Sequence, residues 1–323
     1  MKYVYVLTCS KNDLYYEQFL ISIVSLRLSN PNAHVVVLID SKTKKNLTEL
    51  RAEYEQYITE IIIINAPDKF SQKEVSRWIK TSIYNYISDD FLYIDCDTVI
   101  CNKLDLDILQ EINVGAILDT HVPLAKHHLK DHFQNEDKRL NFFSSFVTEK
   151  RYNGGVLLCR KSKEGNDLFE CWHSLWIYSN ENGNFHDMPA LNQANYEIGN
   201  VIKELPGEWN CQITHNGLPY LYNAKIIHYY ATAFNFRECP YLPGSKEILL
   251  SIKKTGSISS ELMNMLNNPK TAFENDSRII SGAAELDTVN SKLFSVLLRI
   301  RKKNPNFFNK LNTFFIKFFS RNN

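Results

Sequence analysis

Phe91-Leu92-Tyr93-Ile94-Asp95-Cys96-Asp97-Thr98-Val99-Ile100 joins four apolar residues to two carboxylates placed two positions apart. The apolar run is short and aromatic-rich, as a buried strand should be, and the acids mark its end. Strand side chains alternate faces, so Asp95 and Asp97 are expected on one side and Cys96 on the other. Two hard oxygen donors at that spacing suit a divalent cation that also bridges a diphosphate. The same pair also reads as two solvated acids on a turn.

Upstream, short β-branched or aromatic runs at 3–8, 34–39 and 60–64 alternate with amphipathic segments at about 14–29, 43–56 and 72–87. Ser71-Gln72-Lys73-Glu74 opens the third segment as a capping box. Three strand–helix units before Asp95 predict an α/β, doubly wound sheet with right-handed crossovers. Ligands on such sheets bind at the carboxyl ends of strands. Downstream, strands are expected at 114–118, 155–159 and 224–229, and helices at 162–179 and near 187–197. Residues 120–150 are polar and histidine-rich, and 240–285 read as loops with short helices.

The 323 residues are 44% hydrophobic and 23% charged, which excludes disordered, collagen-like and coiled-coil classes. Seven cysteines without a CxxC pair point to reduced thiols. Met1 to Leu7 is too short an apolar run for a signal peptide and reads as a strand, and no transmembrane helix is expected. Charge is unevenly placed. Lys292, Arg299, Arg301, Lys302, Lys303, Lys310, Lys317 and Arg321 follow the last acid, Asp287, giving the tail +8. The remaining 29 basic side chains stand against all 36 acidic ones, a net of −7. On a helical wheel Phe307, Phe308, Leu311, Phe314, Phe315, Phe318 and Phe319 share one arc, edged by Lys310, Lys317 and Arg321. Such a face suits an anionic membrane surface, the alternative being a terminal helix packed on its own domain or on a second copy. Nucleic acid is not expected as a partner, because the body is acidic.

Two enzyme classes write Asp-x-Asp after a strand. Haloacid-dehalogenase-like phosphohydrolases use the first Asp as nucleophile, here Asp95, but place it after the first strand of the domain. About a hundred residues of nucleotide-binding fold precede the motif in GT-A glycosyltransferases, and this chain resembles those, being most similar to retaining glycosyltransferase family 8 and its bacterial polysaccharide-building relatives. The resemblance covers roughly residues 1–235. It rests on Val6-Leu7-Thr8-Cys9, the Asp95/Asp97 pair, Tyr152-Asn153-Gly154-Gly155, His186-Asp187-Met188-Pro189-Ala190-Leu191-Asn192, Glu204-Leu205-Pro206-Gly207-Glu208-Trp209-Asn210 and Ile226-Ile227-His228.

The resemblance implies a GT-A type doubly wound mixed sheet over 1–240. A small helical C-terminal extension over 241–323 would end in the basic, Phe-rich tail. It implies that Asp95, Asp97 and His228 hold Mn²⁺ or Mg²⁺, and that a UDP-sugar is the donor. Thr8, Arg77, Lys80, Asp95, Asp97, Gly154 and His228 would line the donor site, and Asp187 and Asn153 would meet the sugar. The reaction implied is transfer of a hexose, with retention, onto lipopolysaccharide, capsule or another surface glycan. A glycan or glycolipid acceptor would be met at the inner, cytoplasmic face of the cell membrane. The chain departs from the family pattern in three places. Met188 replaces a glutamine, Ala231 replaces a glycine, and no Lys-Pro-Trp follows His228, leaving Arg237 as a substitute for its lysine. Those departures keep open a degenerate, membrane-bound partner subunit. His121, His127, His128 and His132 read as an exposed, acceptor-facing loop rather than a zinc site.

Overall fold

Alternating apolar strands and capped helices build the observed architecture in a computed structural model that describes residues 1–230, 239–274, 287–288 and 291–319. The strands of the large sheet are β1 (Lys2–Leu7), β2 (Val35–Asp40), β3 (Glu60–Ile64), β4 (Phe91–Ile94), β6 (Val114–Leu118), β7 (Tyr152–Cys159) and β8 (Lys203–Glu204). β5 (Thr98–Ile100), β9 (Cys211–Gln212) and β10 (Ile226–His228) form a smaller sheet. The large sheet runs β3-β2-β1-β4-β7-β6-β8. β1 to β4 are mutually parallel, whereas β7 lies antiparallel between β4 and β6.

The helices are α1 (Tyr15–Ser29), α2 (Ser41–Asn46), α3 (Gln72–Thr81), α4 (Lys130–Leu140), α5 (Ser144–Val147), α6 (Lys163–Glu181), α7 (Asp187–Glu197), α8 (Lys246–Thr255), α9 (Ser260–Asn267), α10 (Lys292–Lys303) and α11 (Pro305–Phe319). The Ser71/Glu74 capping box is present at α3. Two expected helices are shorter than read. The segment 43–56 yields only α2 before breaking into 3₁₀ turns, with Glu49 at a φ of 57° and Arg51 drawn inward to the buried Glu17 carboxylate at 2.8 Å. α3 stops at Thr81 because the Ser82 hydroxyl donates back to Trp78 O at 2.8 Å.

Alternation along β1 and β4 explains the layers. Tyr3, Tyr5, Leu92 and Ile94 enter one apolar cluster with α1, while Val4, Val6, Phe91 and Tyr93 enter another with α3, α6 and α7. Leu249 and Ile252 of α8, with Leu262 and Leu266 of α9, belong to the α1-side cluster. Residues 241–274, placed above in a C-terminal region, therefore share the core of the preceding residues. All seven cysteines are free thiols. No helix among the described residues is long and apolar enough to cross a membrane. Replacing Leu249 by Ala should cost about 2–5 kcal/mol in one cooperative denaturant transition. A separate early transition for α8 and α9 would contradict a shared core.

Candidate active site and metal centre

β4 leaves the large sheet at Ile94, and Asp95 to Asp97 form the turn into β5 of the smaller one. Asp95 N–H still donates to Gly155 O at 2.8 Å, and Thr98 Oγ1 closes the turn by donating to Asp95 O at 2.8 Å. The carboxylates therefore converge through a turn between sheets, which corrects the expectation of strand alternation. Cys96 turns back to donate to Val6 O at 3.3 Å.

Antiparallel pairing of β10 with β5 sets His228 opposite Thr98, one residue from Asp97. Donor atoms of Asp95, Asp97 and His228 lie within 4.8 Å of one another, the one such cluster among the described residues. Two carboxylates and an imidazole fit Mn²⁺ or Mg²⁺ with oxygen ligands completing the set. His228 Nε2 is 3.0 Å from Asp97 Oδ1. Burial raises the Asp97 pKa, but the neighbouring His228 outweighs it and holds the carboxyl below its ordinary value.

The triad sits beside a cleft of about 260 Å³ lined by Thr8, Tyr15, Gln72, Arg77, Asp95 and Asp97, among others. Thr8 is tied to α3, its hydroxyl donating to Gln72 O at 3.3 Å and its carbonyl accepting from Gln72 Nε2 at 2.9 Å. Lys80 is buried between two carboxylates, 2.9 Å from Asp187 Oδ2 and 3.3 Å from Asp95 Oδ1. Arg77, one turn earlier, lies 3.4 Å from Asp187 Oδ1 with about a third of its side chain exposed (35%). Of the two, Arg77 is the one that keeps surface open to a bound anion. Asp187 opens α7, where helix-end N–H groups favour an anion, and its carbonyl accepts from Trp172 Nε1 at 3.0 Å. Burial would raise its pKa, but Lys80 and Arg77 hold it far below the carboxylate range.

Asn153 is placed differently from the sugar contact expected above. Its Oδ1 accepts from Gly155 N–H at 2.9 Å and Asn210 Nδ2 at 3.0 Å, and its Nδ2 donates to Asp119 Oδ1 at 3.1 Å and Tyr230 OH at 2.8 Å. Those bonds fill the amide's capacity, so a sugar hydroxyl would reach it only by displacing a protein partner. Gly154 faces Lys80 and Asp187, each 3.5 Å from where a Cβ would stand. Closer approach occurs at Gly155, where a Cβ would lie 2.4 Å from His228 Cε1. Met188 Sδ lies 3.9 Å from Asn153 Nδ2.

The histidine-rich segment is not the exposed loop expected. His127 is buried with its Nε2 3.2 Å from Asp119 Oδ2, while His121 Nε2 accepts from Gln212 N–H at 3.1 Å. His128 and His132 are exposed. Asp119 was not anticipated, although its place directly after β6 marks it by the rule applied to Asp95. Asn210 was quoted within a motif but given no role. Arg237 and Ala231 lie outside the described residues.

Burial holds His121 and His215 at about 4, against 6.5 in an open chain. The unfolded chain therefore binds more protons between those values, and stability should fall as pH drops from about 6.5 towards 4. Denaturant titrations across that window should show the loss, and His121→Gln should reduce the slope of stability against pH by up to about 1.4 kcal/mol per pH unit, the contribution of one proton. An unchanged slope would contradict the burial argument.

The structure resembles the galactosyltransferase LgtC in complex with donor and acceptor sugar analogues, with a TM-score of 0.53, 16% identity, and coverage of 82% of this chain and 99% of that one. An active-site mutant of LgtC gives a TM-score of 0.53 at 17% identity, covering 81% and 99%. Mouse xyloside xylosyltransferase 1 gives 0.46 at 14% identity, covering 72% and 98%. No curated relative matches the sequence. The LgtC structures share the GT-A fold of this chain. Residues 6–233 match the model of glycosyl transferase family 8, so the chain belongs to that family and is a glycosyltransferase, not a phosphohydrolase.

Proposed function

We propose that this transferase moves a hexose from a UDP-sugar, with retention, onto lipopolysaccharide, capsule or another surface glycan, using Mn²⁺ or Mg²⁺. The supporting observation is the convergence of Asp95, Asp97 and His228 beside a cleft lined by Arg77, which itself pairs with Asp187 at 3.4 Å. A cation held by that triad would act as a Lewis acid, offsetting charge on the departing nucleotide diphosphate. Arg77 would add positive charge from the cleft wall. Thr8, beside Tyr15 and Gln72, would line the nucleoside end. Asp187, kept ionised and oriented by Lys80, would accept hydrogen bonds from donor-sugar hydroxyls. Gly154 would leave the space for that sugar, and Asn153 would hold the wall behind it. An intact set of titratable groups around one cleft disfavours a degenerate partner subunit, which has no need of it.

The tail supports a membrane-surface role. α10 and α11 are helical, and Phe307, Phe314, Phe315 and Phe318 are exposed along α11. α10 buries no residue, and Lys292 forms an exposed ion pair with Asp131 of the body at 3.4 Å. Exposed Phe flanked by Lys suits the anionic inner face of the cell membrane, where a glycolipid acceptor would be met. On this reading residues 1–240 carry the transferase fold, and within the helical region 241–323 the tail formed by α10 and α11 reaches the membrane, α8 and α9 being packed on the core.

Incubation with a panel of UDP-sugars and Mn²⁺ should give transfer or hydrolysis that EDTA abolishes. Asp97→Ala should lower turnover by orders of magnitude in a folded protein, and retention of more than about a tenth would exclude a ligand role. Removing residues 288–323 should leave a folded, nucleotide-binding body that no longer co-sediments with anionic vesicles, each basic residue near the surface having contributed roughly 1 kcal/mol. Loss of nucleotide binding on truncation would show instead that the tail is part of the fold.

A further inference from the structure

His228 can serve a cation only if one ring nitrogen presents a lone pair to the carboxylates, and the surrounding hydrogen bonds decide which one does. The chain of reasoning begins at a backbone group whose polarity is never in doubt. Gly155 N–H donates to Asn153 Oδ1 at 2.9 Å, so that atom is the oxygen of the amide. Asn210 then meets Asn153 Oδ1 at 3.0 Å and must donate to it, which makes the meeting atom its Nδ2. The Asn210 oxygen is thereby turned to His228 Nδ1, 3.0 Å away, and an oxygen there demands a proton on Nδ1. Asn153 is locked in the same sense from its other end, where Nδ2 donates to Asp119 Oδ1 at 3.1 Å.

We propose that Asn210 is a positioning residue that keeps the proton of His228 on Nδ1 and so directs Nε2 to the Asp95/Asp97 carboxylates. The proposal rests on reading that triad as a cation site. Two further contacts fix the ring itself. It stacks on Tyr230, with centroids 3.9 Å apart and planes 12° apart, and it packs against Gly155, where a Cβ would come within 2.4 Å. Tyr230 is held for this task in the left-handed region at a φ of 52°. Its hydroxyl accepts a hydrogen bond from Asn153 Nδ2 at 2.8 Å and donates one to Gln212 Oε1 at 3.2 Å. Asn210 and His228 are both buried. Partners that fix the tautomer of a metal-binding histidine typically change cation affinity 10–100-fold when removed.

The test is long-range ¹H–¹⁵N correlation of ¹⁵N-histidine-labelled full-length protein without added cation, with His228 assigned by the missing signal in His228→Gln. The expected result is a protonated Nδ1, and a bare Nδ1 in the wild-type chain overturns the proposal without any Asn210 variant having to fold. Calorimetric titration with Mn²⁺ and UDP supplies a second reading. Asn210→Leu should weaken Mn²⁺ binding by about 10–100-fold at a temperature where the variant is folded, and Asn210→Asp, which keeps an acceptor for Nδ1–H, should restore most of it. Wild-type affinity in folded Asn210→Leu overturns the proposal. If His228→Gln binds Mn²⁺ as well as wild type, the cation-site reading fails, whereas a protonated Nδ1 in the wild-type chain would still support the relay.

Discussion

The pairing of β5 with β10 is the constraint on which the site depends. It obliges the chain to leave one sheet at Ile94 and join another at Thr98, so the intervening residues must turn. That turn aims Asp95 and Asp97 at one point, and the same pairing delivers His228 to it from far along the sequence. Neither sheet alone could do this. A continuous strand would spread the acids along one face, about two residue rises apart, without bringing a histidine between them.

Charge balance then determines what the cleft can accept. Asp95, Asp97 and Asp187 are set against Lys80 and Arg77, and Lys80 is enclosed by two of the acids. Removing a buried partner of this kind leaves an uncompensated charge, typically at a cost of about 3–5 kcal/mol. Lys80 is therefore a fixed internal counter-ion, and the excess negative charge around the triad is what a cation would offset on the proposed reading. Trp172 joins this balance to the core, since its indole N–H holds the first turn of α7 where Asp187 sits.

Much of this was legible in the sequence because it depended on periodicity and order. The strands beginning near residues 3, 34, 60, 91 and 114 were placed within a residue or two, since each is a short apolar run bounded by more polar sequence. The α3 capping box was read directly from Ser71 and Glu74. Breaks in helices were not legible where side chains far along the chain compete for them, as Glu17 does for Arg51. Asp95 and Asp97 were singled out by residue type and strand position and His228 by the family resemblance, and the structure brings the three together. The saturation of Asn153 was not legible, because it depends on Asp119, Asn210 and Tyr230 arriving together from three separate segments. The histidines at 121 and 127 were misplaced for the same reason, their partners Gln212 and Asp119 being supplied by tertiary structure.

Electron spin echo spectroscopy of Mn²⁺ bound to the full-length protein with UDP tests the metal centre most directly, because it detects a nitrogen bonded to the ion. An imidazole nitrogen coupling that disappears in His228→Gln is the predicted result. A spectrum without nitrogen modulation, or one unchanged by that substitution, would show that the ion binds elsewhere and would contradict the Asp95/Asp97/His228 centre.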